Sequence, residues 1–115
     1  MKSLNSYWLT AEISNVSTAG QVYVVIPDGG YVTNVWSALG GAITGADADL
    51  TVKVNGASVG TITIANSGSA AGDVDSLALV RSATNYTAGG SVIEIETDGA
   101  STNAVPVVLT IEVTR

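Results

Sequence analysis

The acidic side chains are the first candidates for chemistry. Glu94 and Glu96 lie two apart in SVIEIET, and Glu112 lies in a later run of the same kind. In an extended segment, alternate residues share a face about 6.6–7 Å apart. That separation overlaps the one at which paired carboxylates cleave glycosidic bonds. A glycosidase also needs a cleft with aromatic side chains for the sugar, and SVIEIET contains none, so these glutamates read as a solvated face. Asp47-Ala48-Asp49 and Asp73-Val74-Asp75 are D-x-D pairs in Gly-rich loops. Hard cations such as Ca²⁺ take several oxygen ligands, and Asp47, Asp49, Asp73 and Asp75 are the residues able to contribute. Neither pair has the spacing of a full calcium loop. Asp in such loops more often builds turns and caps, so no metal and no other cofactor is expected.

Nucleophilic catalysis finds no equipment. The chain has no His and no Cys, which removes the usual base for a serine nucleophile and the thiolate alternative. A Ser–Lys arrangement would need Lys53, on a strand face, or Lys2, near the start of the chain. The Gly clusters lack the Lys-Ser/Thr of a phosphate loop and no helix follows them. Asn15-Val16-Ser17 and Asn85-Tyr86-Thr87 match the glycosylation sequon, a pattern common by chance. The expectation is a protein that is not an enzyme.

Charge narrows the partners. Four basic residues stand against ten acidic ones, a net charge of −6. Binding to nucleic acid runs on phosphate neutralisation by Lys and Arg, and Lys2, Lys53, Arg81 and Arg115 are too few and too scattered. Anionic membrane surfaces are disfavoured for the same reason. The beginning, MKSLNSYWLTAEIS, has no uninterrupted apolar core and no cleavage site, so it does not read as a signal peptide. No run approaches the length of a membrane span. Only 12% of residues are charged, about half the usual level. A neutral β-rich surface is poorly protected against edge-to-edge association, which implies that part of it is covered by other subunits or by a lattice. A virion-type or secreted β protein kept soluble by Ser and Thr hydroxyls is a compatible reading.

The elements that must position these groups are strands. In LTVKVNGASVGTITIA, Leu50, Val52 and Val54 share a face, as do Ile62 and Ile64, and Asn55-Gly56 between the runs suits a tight hairpin turn. Tyr7–Ser14 reads as the first strand, after a loose arm over residues 1–6. Gln21–Ile26 is apolar on both faces and is expected to be covered on both. Pro27-Asp28-Gly29-Gly30 ends it and turns into Tyr31–Leu39, which suggests a second hairpin. Gly40–Asp49 is a loop with room for a short helical turn capped by Asp47 or Asp49. Ser76–Ser82 reads as a short edge strand. Ser91–Thr97 alternates, with Ile93 and Ile95 inward. Val105–Thr114 closes the chain, with Val107, Leu109, Ile111 and Val113 inward. Turn signals every 8–12 residues along 115 residues give one all-β domain over 7–115. The expected form is a β-sandwich of about eight antiparallel strands, most simply a jelly roll, with an immunoglobulin-like sandwich as the alternative.

With Phe absent, Trp8 and Trp36 are expected among the core fillers rather than on a sugar platform. Tyr31 and Tyr86, at strand edges or turns, are the interface candidates, with Lys2 and Leu4 of the arm.

Three stretches together carry a resemblance: STAGQVYVVIPDGGYVTNVWSALGGAITGADADLTVKVNG, GTITIANSGSAAGDVDS and AGGSVIEIETDGASTNAVPVVLTIEVTR. From Ser17 to Arg115 the chain resembles head decoration (cement) proteins of tailed bacteriophages, of the jelly-roll kind. The resemblance is one of strand and loop text and brings no individual binding residue. It implies a structural virion protein on the outer capsid surface, made in the bacterial host cytoplasm. Its partners would be the major capsid protein and further copies of itself, as a dimer or trimer. A carbohydrate- or receptor-binding module of a phage fibre is the alternative, since sandwiches host both tasks.

Overall fold

The structure, a computed structural model, describes residues 6–115. Lys2 and Leu4 lie outside the described residues, as does the expected arm apart from Ser6, which is already in the first strand. Alternation of apolar and polar residues produces nine strands: β1 Ser6–Ile13, β2 Gly20–Val25, β3 Gly30–Leu39, β4 Ala48–Val54, β5 Ala57–Ile64, β6 Val74–Ala78, β7 Tyr86–Thr87, β8 Val92–Thr97 and β9 Val107–Thr114. The described residues contain no helix. The loop after β3 makes bends and a single bridge between Thr44 and Thr102 instead of a helical turn.

The strands form two sheets, ordered β1-β9-β3-β6 (with β7 also on β3) and β2-β8-β4-β5. All pairings are antiparallel. First pairs with last, second with second-to-last, third with sixth and fourth with fifth. A long hairpin wound over on itself gives this nesting, and it is the jelly-roll order of a two-sheet sandwich.

Asn55 and Gly56 turn β4 into β5 with φ of 49° and 87°, the left-handed values a tight primed turn requires. Asn55 also ties this turn to β8, because its Oδ1 accepts from Val92 N–H at 3.0 Å. By contrast, the expected hairpin through Pro27–Gly30 is not formed. β2 and β3 belong to different sheets, so Pro27–Gly30 crosses the end of the sandwich.

Between the sheets lies an aliphatic core. Leu50, Val52, Ile62, Ile64, Ile93 and Ile95 from one sheet meet Val35, Leu39, Leu109, Ile111 and Val113 from the other, all buried. Each fully buried side chain of this kind contributes about 1.5–3 kcal/mol. Neither tryptophan is among them, which corrects the expectation that they fill the core. Their strand positions decide this. Leu9 and Val35, next to Trp8 and Trp36, point inward, so the indoles point out. The outer side of β2 is also open rather than covered, with Tyr23 58% and Val25 62% exposed.

Candidate functional site

The sandwich has two unlike outer faces. On the four-stranded sheet, β8 presents Glu94 and Glu96, and β4 presents Asp49, Thr51 and Lys53. Lys53 Nζ pairs with Glu96 Oε1 at 3.0 Å, and this bond raises the Lys53 pKa above its usual value. Asp49 Oδ1 accepts from Thr63 Oγ1 at 2.8 Å. The middle of this face is charged and cross-linked, and Tyr23 and Val25 lie exposed along its β2 edge. Glu112 lies on the opposite sheet from Glu94 and Glu96, because β9 pairs with β1 and β3 and not with β8.

The outer face of the five-stranded sheet is built differently. Across β1, β9, β3 and β6 its rows read Trp8–Glu112–Asn34–Ala78, then Thr10–Thr110–Trp36–Ser76, then Glu12–Val108–Ala38–Val74. Trp8 is 45%, Val108 44% and Val74 64% exposed. The ionisable groups of these rows are Glu12 at a corner and Glu112 at the centre, which is only 3% exposed. Glu112 Oε1 accepts from Asn34 Nδ2 at 2.8 Å and from Thr33 Oγ1 at 3.1 Å. A bulge between Val32 and Asn34 in β3 lets both Thr33 and Asn34 reach it. Thr33 continues to Thr114 at 2.9 Å and Thr114 to Ser6 at 3.1 Å, a chain of hydroxyls across three strands.

This hydroxyl chain leads to the two tyrosines singled out in the sequence. Tyr31 and Tyr86 are cross-strand partners on β3 and β7, with ring centroids 5.2 Å apart at 68°, edge to face. The Arg81 guanidinium lies over Tyr31, 5.5 Å from its centroid. Val32 and Thr87, beside them, are fully buried, so both tyrosines point outward with the tryptophans. Four of the six aromatic residues of the chain therefore share one outer face. At the adjoining end Tyr7 donates its hydroxyl to the Asp28 carbonyl, Arg115 Nε pairs with Asp28 Oδ2 at 3.2 Å, and the Arg115 guanidinium covers the Tyr7 ring. Burial raises the Tyr7 pKa, partly offset by its bond to Asp28.

The four aspartates are not brought together. Asp47 Oδ1 caps Asn66 N–H at 2.9 Å, Asp73 Oδ2 accepts from Ala70 N–H at 2.9 Å, and Asp75 sits on β6 opposite Ser37. Among the described residues no three acidic side chains group as a cation site. An open groove of about 360 Å³ runs between Glu12–Asn15 and Thr18–Val22, with Glu12 as its one ionisable lining group.

Asn85, which reads as a sequon, is a structural latch instead. It is 1% exposed, and its Nδ2 donates to the carbonyls of Val32 and Val80 at 2.8 and 2.9 Å while its Oδ1 accepts from Ser82 N–H at 2.8 Å. It holds the loop between β6 and β7 against β3. Asn15 closes its own turn, accepting from Ser17 N–H at 2.9 Å.

No protein-family model matches the chain, and no curated protein matches it in sequence. Eleven chains of solved structures match its fold. One is the catalytic domain of a GH87 alpha-1,3-glucanase in complex with nigerose, at 14% identity and a TM-score of 0.53, over 96% of this chain and 22% of that one. Another is the catalytic unit of the thermostable GH87 alpha-1,3-glucanase from Streptomyces thermodiastaticus strain HF3-3, at 14% identity and a TM-score of 0.56, over 97% of this chain and 26% of that one. This chain thus spans about a quarter of the length of those it matches, and at such identity the likeness is one of fold alone.

Proposed function

We propose that this chain is a structural virion protein, a decoration protein that binds the outer surface of a tailed-phage major capsid protein lattice and stabilises the head. One observation carries the reading: the outer face of the five-stranded sheet gathers Trp8, Trp36, Tyr31, Tyr86, Val74 and Val108 around a satisfied, nearly buried carboxylate. Trp, Tyr and Arg are the residues that anchor protein–protein interfaces, and free charge is depleted from interface centres. The opposite face, with its Lys53–Glu96 pair, suits water. A sandwich with one docking face and one solvated face can lie flat on a lattice, where icosahedral repetition multiplies a modest contact many times. The sequence resemblance to decoration proteins points the same way.

The exposed Trp8 indole, with the half-buried Trp36 on the same face, also supports a second reading, a carbohydrate- or receptor-binding module of a fibre. Sugar sites pair aromatic stacking with free hydrogen-bonding groups. Here Asn34 and Thr33 are already committed to Glu112, which favours a protein partner.

The test is co-sedimentation of the purified protein with capsids of the encoding phage that lack their own copy. Saturable binding at a fixed number per capsomer, with greater heat resistance of the particles, supports decoration. Absence of capsid binding, with retention on a glycan array or on host cells, replaces it with the fibre module.

A further inference from the structure

β1 is an end strand of its sheet and leaves one backbone edge open. The direction of its backbone groups follows from the ladder. Gly40 N–H donates to the Pro106 carbonyl at 2.8 Å, continuing the β3–β9 register. Residues along an antiparallel strand bond alternately to one neighbour and the other. Even-numbered residues of β9 therefore bond β3, and odd-numbered ones bond β1, where they meet Tyr7, Leu9, Ala11 and Ile13. The Leu39 N–H to Asp73 carbonyl bond at 2.9 Å on the far side of β3 obeys the same alternation. The N–H and C=O groups of Ser6, Trp8, Thr10 and Glu12 hence point away from β9, and no described strand pairs with that side.

Three of the four sheet edges carry features that discourage a further strand. β5 is bulged, with Val52 and Lys53 facing Gly60 and Ser58. β6 has five residues, with Asp75 on its inward face, and β7 has two. β2 has six residues and meets Pro27 just beyond its end. β1 has eight residues in unbroken register, with no Pro, Lys, Arg or bulge.

We propose that β1 pairs antiparallel with β1 of a second copy across a twofold axis at Leu9, forming a dimer with one continuous sheet. This register gives each of the four edge-pointing residues a partner: Trp8 opposite Thr10 of the mate, and Ser6 opposite Glu12. Faces are preserved, because opposite residues in an antiparallel pair point to the same side. The two Trp8 side chains become diagonal neighbours, within reach of one another, so the two aromatic faces run on into one. The charge pattern fits a second copy. Apart from Tyr7, Glu12 is the one ionisable side chain in the strand, and it falls opposite a serine. The two Glu12 side chains end about 20 Å apart along the strands, beyond the screening length of about 8 Å at physiological salt. The dimer does not depend on the decoration reading; it would double the aromatic face whatever that face binds.

Sedimentation equilibrium of the full chain over a concentration series tests the proposal. The mass is expected to rise from the 11.5 kDa of one chain toward twice that value. Thr10→Pro removes an N–H that points to the open edge and leaves the β1–β9 bonds in place; it is expected to weaken the dimer at least about tenfold. Thr10→Val keeps the N–H and is expected to dimerise as the parent does. Far-UV circular dichroism of both variants checks that the sandwich is intact. A parent that stays monomeric up to millimolar concentration overturns the proposal, as does a folded Thr10→Pro protein that still dimerises or a mass that grows beyond two chains. Capsid binding by the monomeric variant is scored separately, so failure of the dimer and failure of the decoration reading give different results.

Discussion

Trp8 lies directly opposite Glu112 across β1 and β9, on a face where the indole is exposed and the carboxylate is not. The carboxylate is a bracket for β3, accepting from Asn34 and Thr33. Removing it takes the acceptor from Asn34 and leaves the Thr33 hydroxyl with Thr114 alone. Glu112→Ala is expected to cost about 1–3 kcal/mol, the usual penalty for leaving buried polar groups unpaired. Glu112→Gln keeps the shape and one acceptor and is expected to cost less. Urea unfolding of the two variants checks the order; equal losses would show that the bracket contributes nothing beyond volume.

On the decoration reading, exposure makes binding and stability separable on this face. Trp8→Ala is expected to abolish or sharply reduce capsid retention while lowering stability by no more than about 1 kcal/mol, as for a half-exposed side chain. Tyr23→Ala, on the charged face and 58% exposed, is expected to leave both unchanged. Parallel co-sedimentation and thermal melts measure the pair. Loss of binding in Tyr23→Ala but not in Trp8→Ala would assign docking to the other face.

These expectations could not be read from the sequence in full, and particular residues show why. The Asn55-Gly56 turn was legible because two residue types set the φ angles locally. Ile93-Glu94-Ile95-Glu96 was legible because one face is apolar and the other charged. Trp8-Leu9 and Val24-Val25 were not, since both neighbours are apolar and either parity satisfies a local pattern. Only the nested strand order decides that Trp8 and Val25 face out and that Glu112 is remote from Glu94. The aromatic face draws on β1, β3 and β7, with Trp8 and Tyr86 78 positions apart in the chain, so no local spacing announces it. Asn85 was hidden for another reason. Its role depends on carbonyls of Val32 and Val80, and backbone groups leave no mark in a sequence.

Asp75 gives the fold a pH dependence. It lies opposite Ser37, whose buried hydroxyl has no partner, and burial followed by the nearby Asp73 raises its pKa above 3.8. A carboxyl that holds its proton more tightly when folded favours the folded state while protonated. That contribution is present below the unfolded value and is lost as pH rises through the folded one. Asp75→Asn is therefore expected to stabilise the protein at pH 7 and to have little effect at pH 3. The gain should stay below about 1 kcal/mol, since the group is only partly buried and still screened by solvent. Melting temperatures at the two pH values provide the check, and a larger gain at pH 3 than at pH 7 would reverse the argument.

Two glycines separate backbone strain from steric collision. Gly56 and Gly99 both have positive φ, 87° and 69°. A methyl group on Gly56 would meet nothing within 4 Å, whereas on Gly99 it would lie 2.4 Å from the Ala19 nitrogen. The loop after β8 is pressed against the turn before β2 there, and Thr97 Oγ1 donates to the Val16 carbonyl at 2.9 Å in the same contact. Gly56→Ala is expected to cost about 1–2 kcal/mol, the strain of a left-handed alanine alone. Gly99→Ala must also push two backbone segments apart and is expected to cost more, with faster hydrogen exchange around Val16 and Thr97. Equal losses in the two variants would mean that the contact between the loop and the turn yields without resistance.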